Sequence, residues 1–257
     1  DRSGRMVETA PGPARRGPRK RSRVTLPVWD GRLMTTSVEP ARPPVATLAG
    51  LPLDAHDHLC VLYRGKPQRN ELMVDFLAEG VGAGHKCYCM MAPAEQSQIA
   101  AAVIDQTPRA DDDPANVGDL EFTGPSGSHL QTGGFASERM LAFWDDWAAS
   151  TYEQQHRTFA RIGADMSWAK PLIAPDFISD LTRYEARFNL WSSRYPQVTA
   201  CMYDLDQFGG EVVVPIINVH PKVWMDGVVL ENPYYVDTQY LDPDEIGPPS
   251  PTADRGG

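Results

Sequence analysis

The sequence predicts an α/β domain of three layers, a mostly parallel sheet with helices on both faces and a β-hairpin at its C-terminal end. Two observations carry this. Apolar, β-prone runs alternate with stretches whose apolar residues recur at helical spacing, and that repetition implies strand, helix, strand units with crossovers. Near the C-terminal end, Asp226-Gly227 sits between VWM and VVL, the strongest short hairpin signal in the chain.

Taken in order, LCVLY (59–63) reads as a strand. The helix behind it carries Leu72, Phe76, Leu77 and Val81 on one face and stops at Gly82 and Gly84. KCYCMM (86–91) is the next strand, Ala94 to Asp105 the next helix, and DLEFTG (119–124) a short strand after an acidic loop. Ser137 is the expected N-cap of ERMLAFWDDWAASTYEQQ, which leads to the strand FARIGADM (159–166). Pro175-Asp176 opens the helix FISDLTRYEARFNLWSSRY, QVTACMYDL (197–205) is the last long buried strand, and GGEVVVPIINVHP is a further helix or turn.

Residues 51–241 form the expected folded body, of a size ordinary for one domain. Residues 1–50 lack apolar periodicity and are rich in Pro, Arg and Gly, so they are expected to be a disordered leader; 242–257 form a second Pro/Gly-rich tail. Met34 opens a plausible polar start, so the residues before it read as upstream sequence, with a nucleic-acid arm as the alternative for RRGPRKRSR.

Charge is unevenly spread. Residues 1–50 hold ten Lys/Arg and four Asp/Glu, which leaves 14 of the 24 basic and 30 of the 34 acidic residues in the rest, a net of −16. Such a body is poorly suited to binding a nucleic-acid backbone. No window approaches a membrane-spanning apolar run, no secretory signal is legible, and Cys60, Cys87, Cys89 and Cys201 lie in or beside apolar runs. The expectation is a cytoplasmic protein with reduced, buried thiols and no membrane partner.

In open parallel sheets ligands collect beyond the carboxyl ends of the strands. That rim here offers Tyr63, Arg64 and Lys66, then Glu95, then Asp165 and Trp168, then Tyr203, Asp204 and Asp206, enough to hold a small polar or mixed ligand. The segment 59–91 has the strand, loop, helix, strand layout of RecA-like ATPases, yet its loop reads YRGKPQRNEL. It has no GK[ST] and one glycine, and its proline has no N–H to give a phosphate, so ordinary ATP hydrolysis is not expected. A residual nucleotide site would have to use Arg64, Lys66 and Arg69, with Asp204 for magnesium.

His56, His58 and Cys60 would share one side of a strand and form a possible metal or redox set, against which stands a capping Asp57 and a merely buried Cys60. Cys87 and Cys89 read as core. In YEARFN, Glu185 and Asn189 stand at i, i+4 and can bond each other or a neighbouring loop. His220, before Pro221, reads first as a turn residue.

HLCVLY (58–63), FLAEG-x-x-x-G (76–84), DMSW (165–168), YEARFN (184–189), CMYD (201–204) and HP followed by NPYY (220–235) together resemble the methanogen/methylotroph sensory, or MEDS, domain family over residues 52–236. The resemblance implies a RecA-like fold with a degenerate nucleotide site, and sensing of hydrocarbon derivatives or related small signals without catalysis. It carries signal recognition onto His58, Cys60 and Tyr63. It also implies a regulatory protein partner, because family members often join this domain to a DNA-binding or kinase module. The expected ligand set is therefore His58, Cys60, Tyr63, Arg64, Asp165, Trp168, Tyr203 and Asp204; no cofactor is named by the sequence.

Overall fold

A computed structural model describes residues 45–107, 119–130 and 134–237. The basic leader up to residue 44 and the tail from 242 lie outside the described residues, as does most of the acidic loop before residue 119. A short antiparallel pair, β1 (Ala46–Leu48) and β2 (Leu51–Leu53), precedes the sheet. Ala46, Leu48 and Leu53 are buried, so the fold begins before residue 51.

The sheet contains β3 (His58–Tyr63), β4 (Lys86–Met90), β5 (Leu120–Thr123), β6 (Ala160–Asp165), β7 (Gln197–Asp204), β8 (Lys222–Met225) and β9 (Val228–Glu231), in the order β5-β4-β6-β7-β3-β8-β9. All neighbours pair in parallel except β8 and β9, whose hairpin turns at Asp226 and Gly227, both with positive φ. That backbone suits a two-residue turn of the type whose twist matches the strands.

The connecting helices are α1 (Gly65–Gly82), α2 (Pro93–Gln106), α3 (Ser137–Ala148), α4 (Pro175–Ser192) and α5 (Gly210–Asn218). Strands β3, β4, β6 and β7 are buried along their whole length, which explains why they read as continuous apolar runs. Their alternation divides the core in two. Leu59, Val61 and Tyr63 with Cys87 and Cys89 lie under α1 and α2, whereas Cys60, Leu62, Tyr88, Cys201 and Tyr203 lie under α3, α4 and α5. The α/β, mostly parallel architecture expected from the sequence, hairpin included, is the one observed.

Two local readings are corrected. Ser137 is the first residue of α3 and Ala136 its N-cap; the Ser137 hydroxyl donates to Glu138 instead of capping a backbone N–H. His56 precedes β3, is exposed and has φ of 76°, so strand alternation never aligns it with His58.

Under α1, the guanidinium of Arg161, 1% exposed, donates to the Phe76 carbonyl at 3.0 Å and pairs with Glu79 at 3.0 Å. Thr47 of β1 donates to the same carboxylate, so Arg161 ties β6, α1 and the first hairpin together. Its Nε donates to Nδ1 of His85, which burial and the Arg161 charge push down to about 4, leaving that nitrogen free to accept.

Gly80 makes this approach possible: a Cβ there would stand 2.6 Å from Cys87 Sγ and 2.7 Å from Arg161 Cδ. Gly80→Ala is therefore expected to lower unfolding free energy by about 1–2 kcal/mol in urea titrations, because overpacking against a fixed guanidinium outweighs the gain in helix propensity. Burial raises the Glu79 carboxyl, but Arg161 and Thr47 outweigh it and hold the group below its ordinary 4.5. A lowered folded value means stability present above pH 4.5 and lost as pH falls. Glu79→Gln should be less stable at neutral pH and should flatten the acid limb of a melting-temperature profile.

Candidate functional site

The parallel register sets His58 of β3 beside Thr199 and Cys60 beside Cys201 of β7, and the even-numbered side chains of β3 share the α4 and α5 side with Cys201. On α4, the stripe that buries Leu181 and Phe188 also carries Glu185 inward, with 0% exposure. Helix α5 ends at Asn218, and the turn after it delivers His220, also 0% exposed. Four elements thus deliver His58, Glu185, Cys201 and His220 to one interior point, where their ligand-type atoms all lie within 4.8 Å of one another.

The hydrogen-bond network fixes which atoms face inward. The Asn189 amide nitrogen donates to the Val219 carbonyl at 2.5 Å, so its oxygen is the acceptor for His58 Nδ1–H at 2.8 Å. His220 Nδ1–H donates in the same way to the Ile216 carbonyl at 2.7 Å. Both imidazoles therefore turn Nε2 toward the centre: His58 Nε2 lies 3.3 Å from Cys201 Sγ and 3.4 Å from a Glu185 oxygen, and His220 Nε2 lies 3.8 Å from that same oxygen. The Nε2 of His220 has no hydrogen-bond partner among the described residues.

Glu185 is buried yet held below the usual carboxylate range. Burial opposes its charge, and the His58 contact, the neighbouring His220 and the Tyr203 hydroxyl, which donates at 2.7 Å, outweigh that opposition. Burial, then the repulsive charge of His58, pushes His220 down to about 3, so it is a neutral base at physiological pH. Burial, followed by the Glu185 charge, pushes the Cys60 and Cys201 thiols up. Nitrogen, oxygen and sulfur atoms of ligand type thus converge on one buried point. That arrangement can hold a cation and has no open side for substrate.

The rim at the strand ends is built differently. Tyr63 donates to Asp165, whose other oxygen takes the Arg69 guanidinium at 2.7 Å; Arg69 also reaches Glu95 at 2.8 Å. Arg64 pairs with Asp206 and Lys66 with Glu95. The three cations of the nucleotide alternative each face a carboxylate. A single residue, Arg64, separates β3 from α1, too little chain to surround a phosphate. Asp204 accepts from the backbone N–H groups of Gly65 and Asp206 and from the Gln207 amide, which makes it a turn holder. Trp168 is buried against His129, with ring centroids 4.7 Å apart, and near Phe135 at 5.6 Å.

Of the residues singled out in the sequence, His58 and Tyr203 belong to the interior centre, and Tyr63, Arg64, Asp165 and Asp204 to the rim. Cys60 lies on the His58 face but outside the four-atom convergence, and His56 is excluded by its exposure. Glu185, Cys201 and His220 were visible singly, as an acid on a helix stripe, a buried thiol and a turn imidazole; their union depends on strand order.

The fold and the centre together define an α/β domain with a closed polar interior and, among the described residues, no phosphate-binding loop. The model of the methanogen/methylotroph, DcmR sensory domain, MEDS, matches residues 57–221, and the chain belongs to that family, a sensory and non-catalytic one. The chain is also similar to the transcriptional repressor DcmR of Methylorubrum extorquens, strain DM4, at 23% identity over 179 residues, which cover 69% of this chain and 63% of that repressor. This chain therefore spans just under two thirds of the relative's length. Among the described residues no helix is long and apolar enough to cross a membrane.

Arg69 and Asp165 are both almost fully buried. Arg69→Met is expected to cost about 3–5 kcal/mol in chemical denaturation, because it strands a carboxylate in the interior.

Proposed function

We propose that this chain is the sensory input part of a transcription-regulating system, and that its signal is received at the interior His58–Glu185–Cys201–His220 centre. The observation that carries this is the orientation of the two imidazoles, each with Nδ1–H spent on a carbonyl oxygen and Nε2 turned toward the same carboxylate.

A small molecule at the strand-end rim is the weaker reading, since Arg69, Asp165 and Asp204 there already satisfy one another or the local backbone. Of the two chemistries open to the centre, metal binding is favoured over thiol redox. The converging set offers two imidazoles, a carboxylate and a single thiol, which suits one shared cation better than a thiol pair. The similarity to a transcriptional repressor supports a regulatory protein as the receiver of the signal.

The full chain should be melted with divalent metals, with short halogenated hydrocarbons and with a disulfide oxidant, alongside His58→Ala, His220→Ala and the rim variant Arg64→Ala. The expected result is a rise in melting temperature with one class of signal, lost in both histidine variants and kept in Arg64→Ala. A response lost only in Arg64→Ala would place the signal at the rim and overturn the reading.

A further inference from the structure

Resting on the assignment of sensing to the interior centre, we infer that the centre is a closed four-ligand site for one borderline divalent transition cation of the zinc type. The ligands are His58 Nε2, His220 Nε2, Cys201 Sγ and one oxygen of Glu185.

Spacing is the first argument. Bonds of about 2.0 to 2.3 Å to a tetrahedral ion set neighbouring donor atoms roughly 3.3 to 3.8 Å apart. Here His58 Nε2 stands 3.3 Å from Cys201 Sγ and 3.4 Å from Glu185 Oε2, while that oxygen stands 3.8 Å from both Cys201 Sγ and His220 Nε2. Four of the six edges of such a tetrahedron are already near their required length, and the other two are no longer than 4.8 Å.

The support around the ligands is the second. Metal-bound imidazoles characteristically donate their other N–H to a carbonyl or carboxylate, which fixes ring orientation. His58 has Asn189 and His220 has Ile216 in that role, and Glu185 has the Tyr203 hydroxyl on its remaining oxygen. The unpartnered Nε2 of His220, wholly buried, presents a lone pair that an inward-lying cation would satisfy.

Charge and softness select the ion. On loading, the Cys201 thiol gives its proton to solvent, and the resulting thiolate with the Glu185 carboxylate balances a dication, so the loaded centre is neutral and its burial carries no net charge penalty. Two imidazoles and a sulfur disfavour magnesium and calcium, which take oxygen ligands in larger numbers. Four protein ligands leave no coordination position for substrate, as suits a sensor. Loading would pull β3, α4, β7 and the α5–β8 turn onto one ion. The Asn232 amide, bonded to the carbonyls of Ile217 and His220, links that turn to the end of the hairpin.

The test is a titration of the chelator-treated 257-residue chain with Co2+, then competition with Zn2+ and with Mg2+. The expected outcome is one cobalt per chain with tetrahedral d–d bands and a sulfur-to-cobalt charge-transfer band, displaced by zinc and untouched by magnesium. Cys201→Ser should lose the charge-transfer band, Cys60→Ser should keep it, and Asn189→Ala should weaken binding about 10- to 100-fold as a positioning change. Far-UV circular dichroism of each variant separates loss of ligation from loss of fold.

A band that survives in Cys201→Ser, or vanishes in Cys60→Ser, overturns the ligand assignment. If neither cobalt nor zinc binds while a hydrocarbon derivative still shifts melting in a His58- and His220-dependent way, the metal inference falls and the centre stands as the sensing element. If no metal binds and the histidine variants change no response, both fall.

Discussion

A carboxylate with no exposure at all is the constraint around which this domain is arranged. Glu185 lies on a helix whose buried stripe is otherwise mostly apolar, and a charge there would be prohibitive unless neighbours stabilised it. Tyr203, His58 and His220 are held where they are by strand pairing and a helix end, so the sheet order and the carboxylate require each other. The side of the sheet under α3, α4 and α5 is also where the aromatic residues concentrate, among them Trp144, Phe188 and Trp191. A polar knot inside an aromatic core is desolvated from every side, which strengthens each interaction within it.

The opposite side is organised by a second buried charge, Arg161, and the carboxyl ends of the strands by a third, Arg69. Each is matched by carboxylates and carbonyls, but with a different result. Arg161 and Arg69 close their sites, since their guanidinium groups are held by Glu79 and the Phe76 carbonyl, and by Asp165 and Glu95. At the Glu185 centre, by contrast, the buried Nε2 of His220 has no hydrogen-bond partner among the described residues. That unpartnered atom separates the Glu185 centre from the Arg161 and Arg69 sites.

Much of the architecture was legible in the sequence. The parallel core, the helices between strands and the final hairpin follow from apolar runs, helical spacing and Asp226-Gly227, because burial on both faces leaves a continuous apolar signature. The missing phosphate loop was equally plain. Less of the centre could be read. The sequence points to His58, but spacing along its own strand offers only His56 and Cys60 as partners, whereas the partners come from a helix, the neighbouring strand and a turn beyond. Spacing along a chain informs about one element; it says nothing of which strand will lie beside it. The first hairpin escaped for a smaller reason: Ala46–Leu48 is three residues long and sits in a Pro-rich context that hid its two buried side chains.

The positions of the four central residues also bear on biosynthesis. His58 is at the start of the family-matched region and His220 at its end, and the last of the four is among the last parts of the sheet-bearing chain to leave the ribosome. Glu185 and Cys201 emerge shortly before it. Closing the centre is thus a long-range event that must wait for nearly the whole domain, after most of the strands have been made. A nascent chain stalled before α5 would hold Glu185 without His220 and with no completed cage around it. The centre is therefore complete only in a chain whose β3, α4, β7 and α5–β8 turn are all in place.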